Sequence, residues 1–419
     1  MNKRMKHRAH LALATFALAA ITFVAVPSTA GAATAVTHWS QVAEQTIPVG
    51  RGPASSQAIS GVVHAAVYDA VAATEGGLVP FVSSPAASAG ASTDAAVATA
   101  AREVLLARVP LQAANIEAAY DLFMATLPAG NAKTAGVAVG AEVAAAQLAA
   151  RAGDGFGVPV PYVQQPPGPG VFEPVLATSP VETSLSQMQP FTFSAADFRP
   201  NGPSSLDSHV YTRDFEEVKA YGRSDSSVRS PAQTQTAFFW SDQTYVQWSR
   251  TVRQLAEARL LNARESARLL GLVHVTAGEA ITACYEAKYY FNFWRPVHAI
   301  RRADTDGNPA TMPDPSWTHL LAGNHPEYPS GHSCFTGSVT EALDIFFKTD
   351  RVPLTVSSNA ANAGPPRSYE RLGEIRAEVD NARVWSGLHF RNTMVESTKL
   401  GRKVAHHVAP HFFRTSNDD

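Results

Sequence analysis

The stretch from Ala263 to Phe293 narrows what this chain can become more than any other. It is the longest run with helical apolar spacing, and it opens directly after Asn262, a residue suited to cap a helix. Runs of the same kind come before it. They lie at Gln57 to Thr74, Thr93 to Arg108, Asn115 to Thr126, Ala132 to Ala152, Asp207 to Tyr221 and Thr244 to Leu261. Three more follow, at Gly331 to Lys348, Ser368 to Val384 and Asn392 to Ala409. The fourth run stops at Arg151-Ala-Gly-Asp154-Gly155. Few segments alternate apolar and polar residues as strands do. The expectation is an all-α, multi-helix bundle interrupted by two long Pro/Gly-rich loops, Val158 to Pro203 and Asp304 to Pro329. The first is too long for an ordinary connection, so it is either functional or a wrap over the helices. No composition shift marks a boundary, so residues 33–419 read as one domain, with a motif-bearing core at about 263–414.

Composition removes several function classes. Of 419 residues, 34 are Lys or Arg and 36 are Asp or Glu, a formal charge of -2, which excludes a nucleic-acid binder working by bulk charge. Two cysteines cannot build a disulfide framework or a Cys-rich zinc site. Export makes a Cys284–Cys334 disulfide one reading of the pair, and two small buried thiols another.

The first residues read as an address. Lys3, Arg4, Lys6 and Arg8 precede an uncharged apolar run from Leu11 to Val26, then Pro27, Ser28 and the small-residue pattern Ala30-Gly31-Ala32. The run is about 16 residues, short of the roughly 20 that span a bilayer. The expectation is a cleaved signal peptide over 1–32, a mature chain beginning near Ala33, and a secreted protein with no stable membrane anchor.

Three short motifs in the last third carry chemistry. In Lys288-Tyr-Tyr-Phe-Asn-Phe-Trp-Arg295-Pro296 the two cations are seven apart. On one helix that is two turns, so both would point the same way, with Pro296 ending the helix behind them. In Pro329-Ser330-Gly331-His332 the serine stands where an N-cap would, and the free amides of a helix's first turn suit an anion. In Arg383-Val-Trp-Ser-Gly-Leu-His389 an arginine and a histidine are six apart. Each alone has a bland reading: a solvated helix face, a chance Ser-Gly-His, an unrelated Arg and His. Together they supply three fixed cations, a hydroxyl, amide donors and two histidines. That set fits a tetrahedral oxyanion, with one histidine as ligand or nucleophile and the other as acid/base.

In this order the motifs resemble the signature of the superfamily of vanadium-dependent haloperoxidases and type 2 phosphatidic acid phosphatases, in its secreted bacterial haloperoxidase-like branch. Similar segments outside them are His64-Ala-Ala-Val-Tyr-Asp69-Ala, Phe198-Arg199-Pro200, Phe239-Trp240 and Trp294-Arg295-Pro296-Val297-His298-Ala299-Ile300-Arg301, so the resemblance spans nearly the whole mature chain. It implies that Lys288, Arg295, Ser330, the Gly331 amide and Arg383 hold vanadate, and that phosphate fits the same site. It implies that His389 is the metal ligand or a phosphoryl-accepting nucleophile, and that His332 is the acid/base partner. As a peroxidase the protein would take hydrogen peroxide and halide, with vanadium acting as a Lewis acid on peroxide. As an acid phosphatase it would hydrolyse phosphate esters through a phosphohistidine at His389. A non-catalytic oxyanion-binding protein is a third reading, which the two histidines argue against.

The chain departs from the family pattern twice. Many relatives carry Asp four residues after the last histidine, where Thr393 stands here, and haloperoxidases commonly carry Trp three before the lysine, where Tyr285 stands. His325, five before Ser330, occupies a position where brominating members also have His. With Tyr285 it forms the candidate halide site and favours bromide or iodide. His407 and His411, at helical spacing beside His406, could bind zinc, but Pro410 is expected to break the helix between them and no Glu completes the pattern. His64 and Asp69 read as satisfied core groups. Oligomeric state is not legible.

Overall fold

A computed structural model describes residues 34–416, so the candidate signal peptide lies outside the described residues. Among them there are thirteen α-helices: α1 Ala35–Thr46, α2 Pro53–Glu75, α3 Thr93–Arg108, α4 Ala113–Thr126, α5 Asn131–Ala150, α6 His209–Tyr221, α7 Pro231–Phe239, α8 Thr244–Ala258, α9 Ala263–Phe291, α10 Pro296–Arg301, α11 Gly331–Phe347, α12 Leu372–Trp385 and α13 Arg391–His411. The protein is all-α, as the periodicity predicts. A single two-stranded antiparallel hairpin, β1 Leu354–Val356 with β2 Arg367–Tyr369, is the regular sheet among the described residues. It corrects the helix expected from Ser368, because a three-residue strand is defined by its pairing partner, which local spacing does not reveal. Helices α1, α7 and α10 go beyond the expected set.

Helix α9 is the axis. Its start is locked by a capping box in which Asn262 accepts from the Glu265 amide and Glu265 accepts from the Asn262 amide. At 29 residues it is roughly 43 Å long at 1.5 Å per residue. Helices α2, α11, α13 and α8 pack around it, while α3 and α5 extend the bundle from α2. The α11–α13 approach is very close: a Cβ on Gly401 would lie 2.1 Å from the Cys334 carbonyl, so only glycine fits. That approach ties together the two helices whose N-terminal ends form the site described below.

The long loop is a wrap. Phe172 donates its amide to the Asn292 carbonyl at 2.8 Å, and Trp294 donates to Gly170 at 3.0 Å. Further on, the buried Glu279 carboxylate accepts from the Phe191 and Thr192 amides at 2.6 and 2.9 Å. A second apolar cluster, with Tyr211, Phe215, Trp294, Trp317, Tyr328 and Phe390, underlies the α9–α10 junction. Cys284 and Cys334 are buried free thiols.

Asp69 and His64 are satisfied core groups, as expected. Asp69 accepts from the amides of Phe81, Val82 and Ser83 and from Gln147. His64 stacks on His274 with ring centroids 3.9 Å apart. Its Nε2 pairs with Ser40 at 3.1 Å and its Nδ1 with the Ser60 carbonyl at 2.9 Å. Burial pushes the His64 pKa down from 6.5 to about 4, against a smaller upward pull from Ser60. The unfolded chain takes up that proton near pH 6.5 and the folded chain only near 4. Stability from this group is therefore complete above about pH 6.5 and is lost as pH falls through 4, by about 3 kcal/mol in all. The Tm of the parent should drop more steeply between pH 7 and pH 4.5 than that of His64→Asn. Parallel Tm curves for the two proteins would show that this histidine does not limit acid stability.

Candidate active site

All three motifs converge on one cavity of about 860 Å³, whose walls include Tyr285, Arg295, His325, Gly331, His332, Arg383 and His389. The route taken by the first motif differs from the expectation. Helix α9 ends at Phe291, and Asn292 adopts a left-handed conformation with φ 46°. Arg295 is therefore not on the helix that bears Lys288. It is the extended N-cap residue of α10, with Pro296 in the first helical turn. The reason is that Pro296 starts a helix as readily as it ends one, its missing N–H being harmless at a first position. Lys288 and Arg295 are still tied to one segment, because both donate to carbonyls of the loop before α11.

Lys288 lies behind the cavity wall. Its ammonium is fully buried and donates to the carbonyls of Pro326 at 2.8 Å, Glu327 at 3.3 Å and Pro329. Burial lowers its pKa to about 8. Its charge acts on the site across this carbonyl layer, and it fixes the loop that carries Ser330. Arg295 is a clamp: Nε donates to the His325 carbonyl at 2.7 Å, Nη1 to the Leu388 carbonyl at 2.9 Å, and Nη2 faces His325 Nδ1 at 2.7 Å. Arg383, on α12, spends Nη1 on the Trp240 carbonyl at 3.0 Å.

Ser330 stands at the N-cap of α11, but its hydroxyl does not cap the helix. Its amide donates to Ser397 Oγ at 2.7 Å. Ser330 Oγ and Arg383 Nε are buried polar atoms without a hydrogen-bond partner among the described residues. Buried donors of this kind are rare in a folded protein and call for an acceptor. Both belong to the set expected to hold an oxyanion, so the residues fit such a group.

His389 follows α12 through a tight turn at Gly387, where φ is 77° and a Cβ would lie 2.5 Å from the Gly222 carbonyl. Its ring is almost fully buried. Nδ1 lies 2.9 Å from Glu327 Oε1 and Nε2 lies 3.3 Å from Arg295 Nη1. Burial, then the charges of Arg295 and Lys288, push its pKa well below 6.5, which favours the neutral ring. His332, in the first turn of α11, holds Thr244 Oγ1 at 3.1 Å through Nε2. Burial and Arg383 push its pKa down as well. The Tyr285 and His325 rings stand 5.8 Å apart on the same wall.

Sequence reading missed Glu327, which is fully buried among these cations. Burial pushes its pKa up to about 7, against the pull of Arg295. The signal was there: an acid three residues before Ser330, between two motif residues. It also missed Trp240 and Thr244, which come from the α7–α8 turn. His406, His407 and His411 stay apart from the cavity. They pair with Glu341, the Thr192 carbonyl and the His407 carbonyl respectively, and no metal-holding cluster occurs among the described residues. Pro410 does not break α13, which runs through to His411; the proline sits in the last turn.

Residues 268–418 match a family profile described as the VCPO second helical-bundle domain. Vanadium chloroperoxidase of Curvularia inaequalis is 30% identical over 151 residues, covering 29% of this chain and 24% of that protein. The alignment thus spans about a quarter of that relative. A bacterial vanadium-dependent iodoperoxidase has a similar fold, with a TM-score of 0.77 at 20% identity over 92% of this chain and 97% of that one. A bacterial vanadium-dependent chloroperoxidase follows, with a TM-score of 0.70 at 17% identity over 85% and 92%. Residues 268–418, which contain all three motifs, thus match the second helical-bundle domain of the vanadium chloroperoxidase family, in a chain whose fold is similar to that of bacterial vanadium-dependent haloperoxidases.

Proposed function

We propose that the protein is a vanadium-dependent haloperoxidase that oxidises bromide or iodide with hydrogen peroxide. The observation that supports this most is the pair of orphaned donors, Ser330 Oγ and Arg383 Nε, beside a neutral His389 in a site ringed by cations. Vanadate would be held by Arg295, Arg383, Ser330 and the Gly331 amide, with His389 Nε2 as its protein ligand and Lys288 adding charge from behind. Bound there, it would supply Lewis acidity that makes peroxide electrophilic. The chain's own residues do the remaining work. The guanidinium groups, themselves almost fully buried, neutralise the oxyanion. His332, neutral and held by Thr244, takes a proton from incoming peroxide and returns it to the departing oxygen. Tyr285 and His325 shape the wall where halide would approach.

His389 also favours a second reading, since an imidazole whose pKa is pushed down and whose Nε2 is at the cavity wall suits a phosphoryl-accepting nucleophile equally well. One preparation decides between them. After loading with vanadate, it should oxidise bromide or iodide with peroxide and show no phosphate-ester hydrolysis above background. Ester hydrolysis by the vanadate-free protein, with no halide oxidation by the loaded one, would establish the phosphatase. Failure in both assays with intact phosphate binding would leave an oxyanion-binding protein.

A further inference from the structure

Position 393, where the family resemblance places an aspartate, is a threonine here, yet the ligand histidine does not lack a carboxylate. Glu327 reaches it from a different segment, the loop before α11. Its Oε1 lies 2.9 Å from His389 Nδ1 and accepts the Phe390 amide at 3.0 Å. Its Oε2 accepts the Thr393 hydroxyl at 3.0 Å. Both oxygens face donors, so with the carboxyl ionised Nδ1 carries the ring hydrogen and Nε2 is the acceptor that faces Arg295 Nη1 at 3.3 Å. The Thr393 carbonyl in turn accepts from Ser397 Oγ, and Ser397 Oγ accepts the Ser330 amide at 2.7 Å. One chain of bonds therefore sets the histidine and the serine of the site relative to each other.

We propose that Glu327 is the positioning residue of His389, fixing its tautomer and ring plane, and that Thr393 has become the hydroxyl that orients this relocated carboxylate. A thioether, amide or water in place of Glu327 could not do this, because none offers two anionic acceptors to an N–H pair and a hydroxyl at once. In this role Glu327 touches neither peroxide nor halide; it acts through the histidine. Outer partners of this kind typically change ligand affinity by about 10–100-fold when removed. The proposal rests on reading His389 as the ligand or nucleophile of the oxyanion site.

The test uses the full chain labelled with ¹⁵N at histidine, without vanadate, with the His389 signals assigned by their loss in His389→Ala. The parent should show a single tautomer with hydrogen on Nδ1. Glu327→Ala should show a mixture, and should bind orthovanadate about tenfold or more weakly by equilibrium dialysis. Glu327→Ala/Thr393→Asp returns a carboxylate from the α13 side. It should restore the single tautomer and bring affinity back to within about threefold of the parent. Rescue by a carboxylate at another position is something a merely structural glutamate would not show. An unchanged tautomer in Glu327→Ala, or a double variant no better than the single, overturns the proposal. If Glu327→Ala does not fold, Glu327→Gln keeps the volume, and parent-like vanadate affinity there overturns it equally. A parent with the Nδ1–H tautomer that binds neither vanadate nor phosphate would sink the functional reading and leave the Glu327 assignment standing.

Discussion

His389→Ala is expected to lose bound vanadate and halide oxidation together, whereas His332→Ala should keep vanadate and lose turnover. The difference follows from what each ring touches. His389 has one nitrogen committed to Glu327, while the other faces Arg295 Nη1 at 3.3 Å at the cavity wall, where its lone pair accepts. In the proposed reading, removing it deletes the atom that would coordinate vanadium. His332 is held by Thr244 and lines the same cavity, where in the proposed reading it exchanges a proton without supplying a ligand. Loss of a general acid/base typically costs 10²–10⁴-fold in rate, so turnover should fall by about that factor while vanadate affinity changes by no more than about threefold. Dialysis with orthovanadate gives the affinities, and steady-state bromide or iodide oxidation gives the rates. In the phosphatase reading the same variants part differently: His389→Ala would leave no phosphorylated-enzyme intermediate, and His332→Ala would slow departure of the alcohol. Parent-like activity of both variants in both assays would mean the two histidines are not the catalytic groups.

How much of this is legible in the sequence depends on the range of the signal. The capped start of α9, the whole of α3 and the end of α4 can be read residue by residue, because caps and helical spacing are local. The cradle can be named as well, since Ser330, Gly331 and His332 are contiguous and Arg383 and His389 are joined by one turn. What spacing does not show is the path between residues. It puts Lys288 and Arg295 on one helix, and the chain instead leaves α9 at Asn292 and re-enters a helix behind Arg295. Proline marks a boundary without saying which side of it is helical. Nor does spacing show where donors are spent. The Lys288 ammonium turns to three carbonyls, an arrangement made only when the loop before α11 closes over α9. Glu327 escapes notice because a lone acid among cations looks like a surface counter-ion until its burial is known. Thr393 looks like a missing carboxylate for the same reason: the residue that supplies it lies 66 positions earlier.

The second large effect concerns Arg383, and it separates binding from folding. This guanidinium is buried beside another, and burial followed by the charge of Arg295 lowers its pKa to about 9. It remains charged at neutral pH, so two like charges line one cavity, and the carboxylate of Glu327 acts on Arg295 but is not among the groups that set the Arg383 pKa. Glu327 offsets the charge of Arg295, and the repulsion felt by Arg383 is offset further when an anion binds. Arg383→Met keeps the apolar stem and removes the charge. Vanadate or phosphate affinity should then fall by about 10- to 150-fold, the equivalent of about 1.5–3 kcal/mol for one charge-assisted hydrogen bond to the anion. The Tm of the vanadate-free variant, in contrast, should equal or exceed that of the parent, since a repulsion is relieved, while the rise in Tm on adding vanadate should largely disappear. Two readings on one pair of proteins therefore check the idea. If the variant binds vanadate within about threefold of the parent, Arg383 is not part of the cradle. If affinity falls but the vanadate-free Tm falls too, the arginine is holding the fold through its bond to Trp240, and the strain assigned to the paired guanidinium groups is absent.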